Sequence, residues 1–324
     1  MPSECASSPA LRVVEFSAQE VYRSRHRPSY TCWVSFFPGE AGQWYLTCEE
    51  VTLPEPPRPP MSRDKWYAFG LPVGYDKSPY QMEVVMLESR DELRTWQVIS
   101  RQLAPFQHSA GSFGQARTAD GRFLRTFWAG YDLGGTLRSN DILFASADNG
   151  LTWVLQPPLH SPRFLSYPHR LRTLRDGTLV LALPLEEAWG PGTSRPVRTC
   201  MDLDAVGGLQ MHLCFSFDQG RSWSVPLPIY AGMSVSETDL VELPSGDLLC
   251  VNNSIFSVPG RQVVYRWSQQ FTPGPYQRCR SGRVPETVCL TAEGVLVGCL
   301  RNSVYLWSDD LGADWYPLAG VPAE

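Results

Sequence analysis

The sequence predicts an all-β protein, a β-propeller of four-stranded antiparallel blades, and three observations support this prediction. A turn of the form Ser-x-Asp-x-Gly-x-Thr-Trp recurs along the 324 residues. A second kind of turn, which connects two strands and ends in glycine, precedes each copy. The 28 prolines and 26 glycines suit many short strands joined by turns, and periodic helical stretches are nearly absent. Five repeat units are counted, and residues 1–324 are expected to form a single propeller domain.

The repeated turn combines three residue types that together stabilise a hairpin. A short Asp carboxylate can accept backbone N–H groups across the turn, glycine supplies a residue with positive φ, and Trp covers the turn with apolar area. We therefore interpret the motif as structural. Two copies are complete, a third has Asp in place of Thr, and a fourth lacks the glycine; these are residues 146–153, 216–223, 308–315 and 89–96.

The second recurring element is a tight turn between two strands, and it lies upstream of each Trp turn. It ends at Gly42, Gly121, Gly177, Gly246 and Gly294 in the five units. Each unit is therefore strand, turn, strand, loop, strand, Trp turn and short outer strand, which is the meander of a propeller blade. The isolated segment 11–16 (LRVVEF) is predicted to add a strand to the last sheet and to close the ring, which would remove open sheet edges.

Composition argues against several classes of partner and cofactor. The net charge is -5, the sequence pI is about 5.6, and no run of Lys or Arg forms a basic stripe, so nucleic acid and anionic membranes are not expected partners. The nine cysteines include no CxxC pair, and we expect reduced packing residues at Cys214, Cys250, Cys289 and Cys299. The five histidines lack ligand spacing, so neither a zinc ion nor any other cofactor is predicted.

The first residues of the chain carry no targeting signal that we recognise. The segment MPSECASSPALRVVEF has neither a basic n-region nor an apolar h-region. No stretch approaches the roughly 20 apolar residues that a membrane span requires. The sequence therefore predicts a cytoplasmic protein.

With these turns, the chain resembles the sialidase superfamily, whose propellers carry the same Asp-box (BNR) repeats. The resemblance covers most of residues 25–316 and implies a β-propeller, usually of six blades, with glycoside hydrolase activity as the expectation. Its sharpest functional match is the stretch 236–246 (SETDLVELPSG). In sialidases, a Glu at this distance before the strand-turn glycine stands on the innermost strand and polarises a nucleophilic Tyr. The resemblance assigns this role to Glu237.

The rest of the sialidase catalytic set is incomplete in this sequence. Sialidases bind the substrate carboxylate with three arginines, because planar guanidinium groups bind carboxylates through two hydrogen bonds. The resemblance suggests Arg25 or Arg27 for the first and Arg301 for the third, while Asn253 stands near the place of the second. Asp76 is a candidate for the acid/base Asp, with Asp64 as the alternative. The nucleophilic Tyr is missing from its expected place before Glu286.

A set of charged residues is also predicted from the propeller geometry alone. The innermost strands of a propeller begin near the mouth of the central channel, so residues there converge from distant parts of the sequence. Aligning the units on their turn glycines puts Gly114, Arg170, Asp239 and Glu286 at one level, with His169 and Glu237 as neighbours. Carboxyl groups with different pKa values can catalyse glycoside hydrolysis, and Arg170 could bind an anionic substrate.

Three functions are compatible with these residues. The first is hydrolysis of a glycoside, such as one of an acidic sugar, with Glu237 and either Asp239 or Glu286 as the carboxylates. The second is a non-catalytic propeller that binds a carbohydrate or another small polar ligand, with the charged residues forming a structural ion-pair network. The third is a polysaccharide lyase or isomerase with His169 as the base, although His169 could equally bind only a backbone carbonyl.

Overall fold

The structure is a computed structural model, and the regular secondary structure of its described residues consists of β-strands. No helix among the described residues is long and apolar enough to cross a membrane. The chain divides into two compact units, residues 21–236 and residues 237–324 with 1–20. The described residues are 11–27, 29–40, 42–57, 59, 62, 79–103, 108–132, 137–157, 159, 164–166, 168–187, 210–229, 238–252, 261–266, 272–278, 284–300 and 304–321.

The unit of residues 21–236 contains three antiparallel sheets. The first sheet has the order β1 (Ser29–Pro38), β2 (Trp44–Thr52), β3 (Gln81–Ser89) and β4 (Gln97–Leu103). The second has the order β5 (His108–Arg117), β6 (Phe123–Asp132), β7 (Leu137–Ser146) and β8 (Val154–Leu155). The third contains β9 (Phe164–Ser166), β10 (Arg170–Thr173), β11 (Leu179–Glu187), β12 (Gln210–Ser216) and β13 (Leu227–Pro228), with both β9 and β10 paired to β11.

The unit that includes residues 237–324 contains two antiparallel sheets. The first has the order β14 (Asp239–Glu242), β15 (Leu248–Asn252), β16 (Arg261–Arg266) and β17 (Thr272–Arg278). The second has the order β18 (Thr287–Leu290), β19 (Leu296–Cys299), β20 (Tyr305–Ser308) and β21 (Tyr316–Pro317). Segment 11–16 contributes a single parallel bridge, between Arg12 and Ala319, rather than a full strand.

These five meanders confirm the predicted fold class, since the described strands form the blades of a β-propeller. Within residues 21–236 the first strands of successive sheets are neighbours, with β5 lying against both β1 and β10. Within the second unit, β14 lies against β18 in the same way. Apolar side chains fill the space between sheets, and one such cluster includes Leu124, Leu143, Leu171, Leu181 and Cys214.

The cysteines of the described part of the chain are all free thiols. Cys214 and Cys250 are fully buried, as predicted. The prediction is wrong for Cys289, which is exposed, and Cys299 is only half-buried. On β18 the core-facing residue is Val288, and because side chains alternate along a strand, Cys289 points away from that core.

The repeated turn has the hydrogen bonds that its sequence predicts. In residues 146–153, the Ser146 hydroxyl accepts the N–H of Gly150 at 2.8 Å and donates to the Asp148 carboxylate at 2.7 Å. That carboxylate also accepts the N–H and the hydroxyl of Thr152, at 2.8 and 2.6 Å. The indole N–H of Trp153 donates a hydrogen bond to the Gly150 carbonyl at 3.0 Å. The motif is therefore a self-contained network of hydrogen bonds.

The turn at residues 89–96 keeps this geometry although it lacks the glycine. The N–H of Leu93 donates to the Ser89 hydroxyl at 3.0 Å, as the N–H of Gly150 does to Ser146. Leu93 therefore adopts φ of 71°, close to the 85° of Gly150. A left-handed conformation costs a residue with a side chain roughly 1–2 kcal/mol, so this copy of the turn is strained.

We expect the substitution Leu93→Gly to stabilise the protein by about 0.5–1 kcal/mol. Glycine relieves the left-handed strain, and the side chain that is lost is 37% exposed, so little buried contact is removed. The larger backbone entropy of glycine in the unfolded chain, about 0.5–1 kcal/mol, offsets part of this gain. Urea unfolding followed by circular dichroism measures the change. Leu93→Ala is the control, because it shortens the side chain but keeps Cβ; an equal gain for alanine would contradict the explanation.

The Asp carboxylates of the turns make stability depend on acid pH. Hydrogen bonds from Thr152 lower the pKa of Asp148 from 3.8 to about 2. Because the folded-state pKa lies below the unfolded value, the stabilisation is present above about pH 4 and is lost as the pH falls toward 2. We expect the melting temperature of the wild type to exceed that of Asp148→Asn at neutral pH, and the difference to shrink through this window. A difference that stays constant would contradict the prediction.

Candidate functional site

The inner strands of the first three sheets are irregular at equivalent positions. The pairing of β1 with β2 shifts between Cys32 and Ser35, and that of β5 with β6 shifts between Ala110 and Gly114. In the third sheet the pairing along β11 is interrupted between β9 and β10, and it resumes at Arg170. Such bulges are common beside active sites, where they redirect side chains. This end of the inner strands is therefore the candidate functional site of residues 21–236.

The strand register shows that Glu286 lies one residue away from the level that the sequence alignment gave it. Arg170 pairs with Ala182, Asp239 with Val251 and Thr287 with Cys299, each as the first pair of its strand. Thr287, and not Glu286, is therefore the equivalent of Asp239. Glu286 instead matches His169, since the N–H of Glu286 donates to Cys299 O and that of His169 donates to Ala182 O, both at 2.9 Å.

Asp239 is a buried carboxylate that connects two strands. It is 1% exposed at the start of β14. Its Oδ1 accepts the N–H of Leu240 at 2.9 Å, and its Oδ2 accepts the N–H of Val288 on β18 at 3.1 Å. The two inner strands of this unit are therefore joined at their starts by the Asp239 side chain. Its charge also adds to the effect of burial in raising the pKa of the Cys250 thiol.

Glu286 lies beside this junction and is more accessible. It immediately precedes β18 and is half-buried. Burial raises the pKa of the Cys299 thiol, and the charge of Glu286 raises it further. A carboxyl group that is partly open to solvent can exchange protons, which a general acid or base requires. Of these two carboxyl groups, Glu286 is thus the better suited to proton transfer, and Asp239 is the better suited to positioning the strand ends.

Arg170 and His169 begin the inner strand of the third sheet. Arg170 is half-buried, and its neighbour Leu171 has its backbone nitrogen 2.9 Å from where a Cβ on Gly114 would lie. Gly114 and Arg170 therefore belong to the same level, as predicted. His169 is 7% exposed, and its burial favours a packing role over proton exchange with a substrate. No described observation favours the lyase alternative.

The remaining predicted site residues are exposed or lie outside the described residues. Arg25 and Arg27 are exposed in the segment before β1. This segment is anchored by buried Glu50, which accepts a 2.6 Å hydrogen bond from Arg101, and Arg101 also donates to the Tyr22 hydroxyl at 2.7 Å. The residues outside the described part of the chain are Glu237, Asp76, Arg301 and Asn253.

No metal site is found among the described residues, where no three His, Cys, Asp or Glu side chains come close enough to hold an ion. Arg125 on β6 is a further buried charge, which was not among the predicted site residues, and it is 2% exposed. A signal for it exists in the sequence, since Arg125 is the one charged residue within the mostly apolar segment FLRTFW. A charge within such a run is unusual, because arginine is almost never fully buried unless paired.

Comparison with known proteins establishes the fold without a family. No family model matches the sequence, and no curated protein matches it. A protein of unknown function from Dyadobacter fermentans DSM 18053 is similar in structure, with a TM-score of 0.61 and 15% identity over 98% of this chain and 88% of that one.

Two further similar structures are enzymes by name. The Hadza microbial sialidase Hz136 has a TM-score of 0.56 and 17% identity over 89% of this chain, which covers 58% of the length of that sialidase. The Penicillium chrysogenum alpha-L-arabinanase complexed with arabinobiose has a TM-score of 0.56 and 15% identity, over 89% of this chain and 81% of that one. At these identities the similarity shows the β-propeller fold alone.

Proposed function

We propose that this protein is a carbohydrate-active propeller that hydrolyses a glycoside with carboxyl groups at the starts of its inner strands. The observation that carries the proposal is the hydrogen bond from the N–H of Val288 to Asp239 at 3.1 Å. It joins β14 and β18 beside Glu286, so that two carboxyl groups belong to neighbouring strand ends. Most glycoside hydrolases work with a pair of Asp or Glu residues flanking the scissile bond.

The roles follow from burial and from hydrogen bonding. Glu286 is half-buried and acts as the general acid or base. Asp239 holds the strand ends together, because both of its carboxylate oxygens accept backbone N–H groups. Glu237, two residues before Asp239, is proposed as the second carboxylate on the strength of the sialidase resemblance. Arg170 belongs to the other compact unit, and its contact with an anionic group stays a prediction from the sequence.

The substrate class is proposed from the similar structures. One of them is named a sialidase, and another is an arabinanase bound to arabinobiose. An alpha-L-arabinofuranosidase from Fusarium graminearum, in complex with an iminosugar inhibitor, has a TM-score of 0.54 and 14% identity over 90% of this chain and 82% of that one. We therefore propose arabinosides and sialosides as the first substrates to test.

The test measures turnover of fluorogenic α-L-arabinofuranoside and sialoside substrates and of arabinobiose. We expect Glu286→Gln to lower kcat/KM by about 10²–10⁴-fold, the usual contribution of a general acid or base. The matched control is Glu293→Gln, since Glu293 is exposed in the turn between β18 and β19 of the same sheet. A Glu286→Gln variant that retains the activity of the control would refute the role of Glu286.

A second candidate function is carbohydrate binding without catalysis. It is favoured by the burial of Asp239, at 1% exposed, because a carboxylate fully engaged with backbone groups is not free to attack a substrate. Titration calorimetry with arabinobiose and sialyllactose distinguishes the two functions. Binding with no turnover of any substrate in the panel would support the non-catalytic function, and neither binding nor turnover would exclude both.

A further inference from the structure

A buried glycine of β19 lies against the segment that carries Glu286. Gly298 pairs with Val288 of β18. A Cβ added to Gly298 would lie 2.4 Å from Cβ and 2.5 Å from Cγ of Pro285, and 2.6 Å from the carbonyl oxygen of Thr287. Carbon atoms in contact are normally about 3.5–4.0 Å apart. Because Gly298 has no side chain, it leaves the space that the Pro285 ring occupies.

The conformation of the backbone does not explain why position 298 is a glycine. The turn glycine of the same sheet, Gly294, has φ of 84°, whereas Gly298 is not among the glycines with positive φ. The pairing of β18 with β19 is also regular, without a bulge. A glycine inside a strand weakens the strand, and it often marks a place where another part of the chain approaches closely. Here the residue that approaches is Pro285.

Pro285 immediately precedes Glu286, and it restricts how the chain reaches that residue. Its ring fixes φ near −65°. On the side before it, Val284 is fully buried in the apolar cluster of the last two sheets. On the side after it, the N–H of Glu286 donates to the carbonyl of Cys299 on β19 at 2.9 Å. The chain at Glu286 is therefore held on β19 by a hydrogen bond and by a rigid ring.

The Cys299 thiol responds to the position of the Glu286 carboxyl group. Cys299 follows Gly298 on β19, and it pairs with Thr287. Burial raises the pKa of this thiol, and the charge of Glu286 raises it further. The interaction between two charges weakens with distance. A displacement of Glu286 away from β19 would therefore reduce its effect on the pKa of Cys299.

We propose that Gly298 is a positioning residue, which accommodates the Pro285 ring against β19 and thereby fixes the carboxyl group of Glu286 at the start of β18. The catalytic consequence rests on the proposed function, in which Glu286 transfers a proton. The geometric part is independent of that function, because it concerns only the packing of Pro285 on β19. In Gly298→Ala, the added methyl group displaces Pro285 from β19, and Glu286 moves with it.

The pKa of the Cys299 thiol, measured with and without the Glu286 charge, tests the geometry. In a Cys289→Ser background, alkylation by iodoacetamide is followed against pH, since the thiolate is the reacting form, and peptide mass spectrometry assigns the modified residue. We expect Glu286→Gln to lower the pKa of Cys299, because it removes the charge. In the presence of Gly298→Ala, the same substitution should lower the pKa by less than about half as much, a difference that a double-mutant cycle isolates.

The kinetics of the glycosides that the wild type hydrolyses test the catalytic consequence. We expect Gly298→Ala to lower kcat by about 10–100-fold, since a displacement of a reacting group by about 1 Å can cost on the order of 10²-fold. KM should change by less than about twofold, because the loss occurs in the transition state rather than in substrate binding.

Gly294→Ala is the matched control for both measurements. Gly294 belongs to the same sheet, and nothing lies within 4 Å of a Cβ added there. The positive φ of Gly294 makes this variant strained, but the added Cβ does not contact Pro285. Its kcat and the effect of Glu286→Gln on the Cys299 pKa should both match those of the wild type. A loss in the control equal to that in Gly298→Ala would contradict the inference, because general destabilisation would then be its cause.

The inference is overturned if Glu286→Gln lowers the Cys299 pKa equally with Gly298 and with Gly298→Ala in folded protein. Because Gly298→Ala could impair folding, Pro285→Gly is the second variant, which removes the ring and leaves β19 intact. It should weaken the effect of Glu286 on Cys299 in the same way, and an undiminished effect would equally exclude the inference. Full turnover by Glu286→Gln would refute the proposed function, whereas the thiol measurement would still decide whether Gly298 positions Glu286.

Discussion

Replacing Trp315 by alanine is expected to lower the free energy of unfolding by about 4 kcal/mol. Trp315 ends the repeated turn of the last sheet and is 1% exposed, within a cluster that includes Leu243, Val284 and Leu306. Truncating a fully buried Trp or Phe to alanine costs about 3–5 kcal/mol, because transfer free energy is lost and a cavity remains. Urea unfolding followed by far-ultraviolet circular dichroism measures the loss.

The matched control for Trp315 is Trp223, which occupies the same position of another copy of the turn. Trp223 is only partly buried and packs against the edge of its cluster. We expect Trp223→Ala to cost about 2 kcal/mol, since less apolar area leaves water on folding. Equal losses for the two variants would mean that the turn itself, rather than the burial of its Trp, determines the energy.

Replacing Gly220 by alanine is expected to cost about 3 kcal/mol. Gly220 has φ of 83°, and an added Cβ would lie 2.5 Å from Cδ1 of Leu124, which is fully buried. Left-handed strain contributes about 1–2 kcal/mol, and overpacking of a core contributes about 1–3 kcal/mol. The same urea titration measures the sum.

Gly246→Ala separates the two contributions to the loss at Gly220. Gly246 has φ of 87°, but nothing lies within 4 Å of an added Cβ. We expect this control to cost only the strain, about 1 kcal/mol. If Gly246→Ala were as destabilising as Gly220→Ala, the contact with Leu124 would carry no energy, and the inferred packing between the second and third sheets would be contradicted.

The repeated turns made most of the fold predictable. Their hydrogen bonds are local, so that Ser146, Asp148 and Thr152 stabilise the same turn wherever the segment is placed. The sheet order follows because short connections make neighbouring strands pair. What the repeat did not reveal is the extra strand β9, since its pairing with β11 depends on contacts distant from any turn motif.

The candidate site was less predictable than the fold. The prediction that Arg170 and Gly114 lie at the same level of their strands is correct. The prediction that Glu286 lies at this level is wrong by one residue, since Thr287 occupies it. Arg170, Asp239 and Thr287 each lie seven residues before the turn glycine of their sheet, whereas Glu286 lies eight before Gly294. A difference of one residue moves a side chain to the opposite face of the sheet. The engagement of Asp239 with Val288 could not be inferred either, because it joins two strands that are distant in sequence.

The sequence by itself determined the repeating hairpins, their number in the described chain and the all-β class, because each turn is specified by residues within eight positions of one another. Only the tertiary structure decided which charged side chains are buried and what they touch. Asp239 and Arg125 are both almost fully buried, yet the first is satisfied by backbone N–H groups and the second keeps two donors unsatisfied. The physical reason is that desolvation and hydrogen bonding in a core depend on neighbours supplied by other sheets, and no local pattern encodes them.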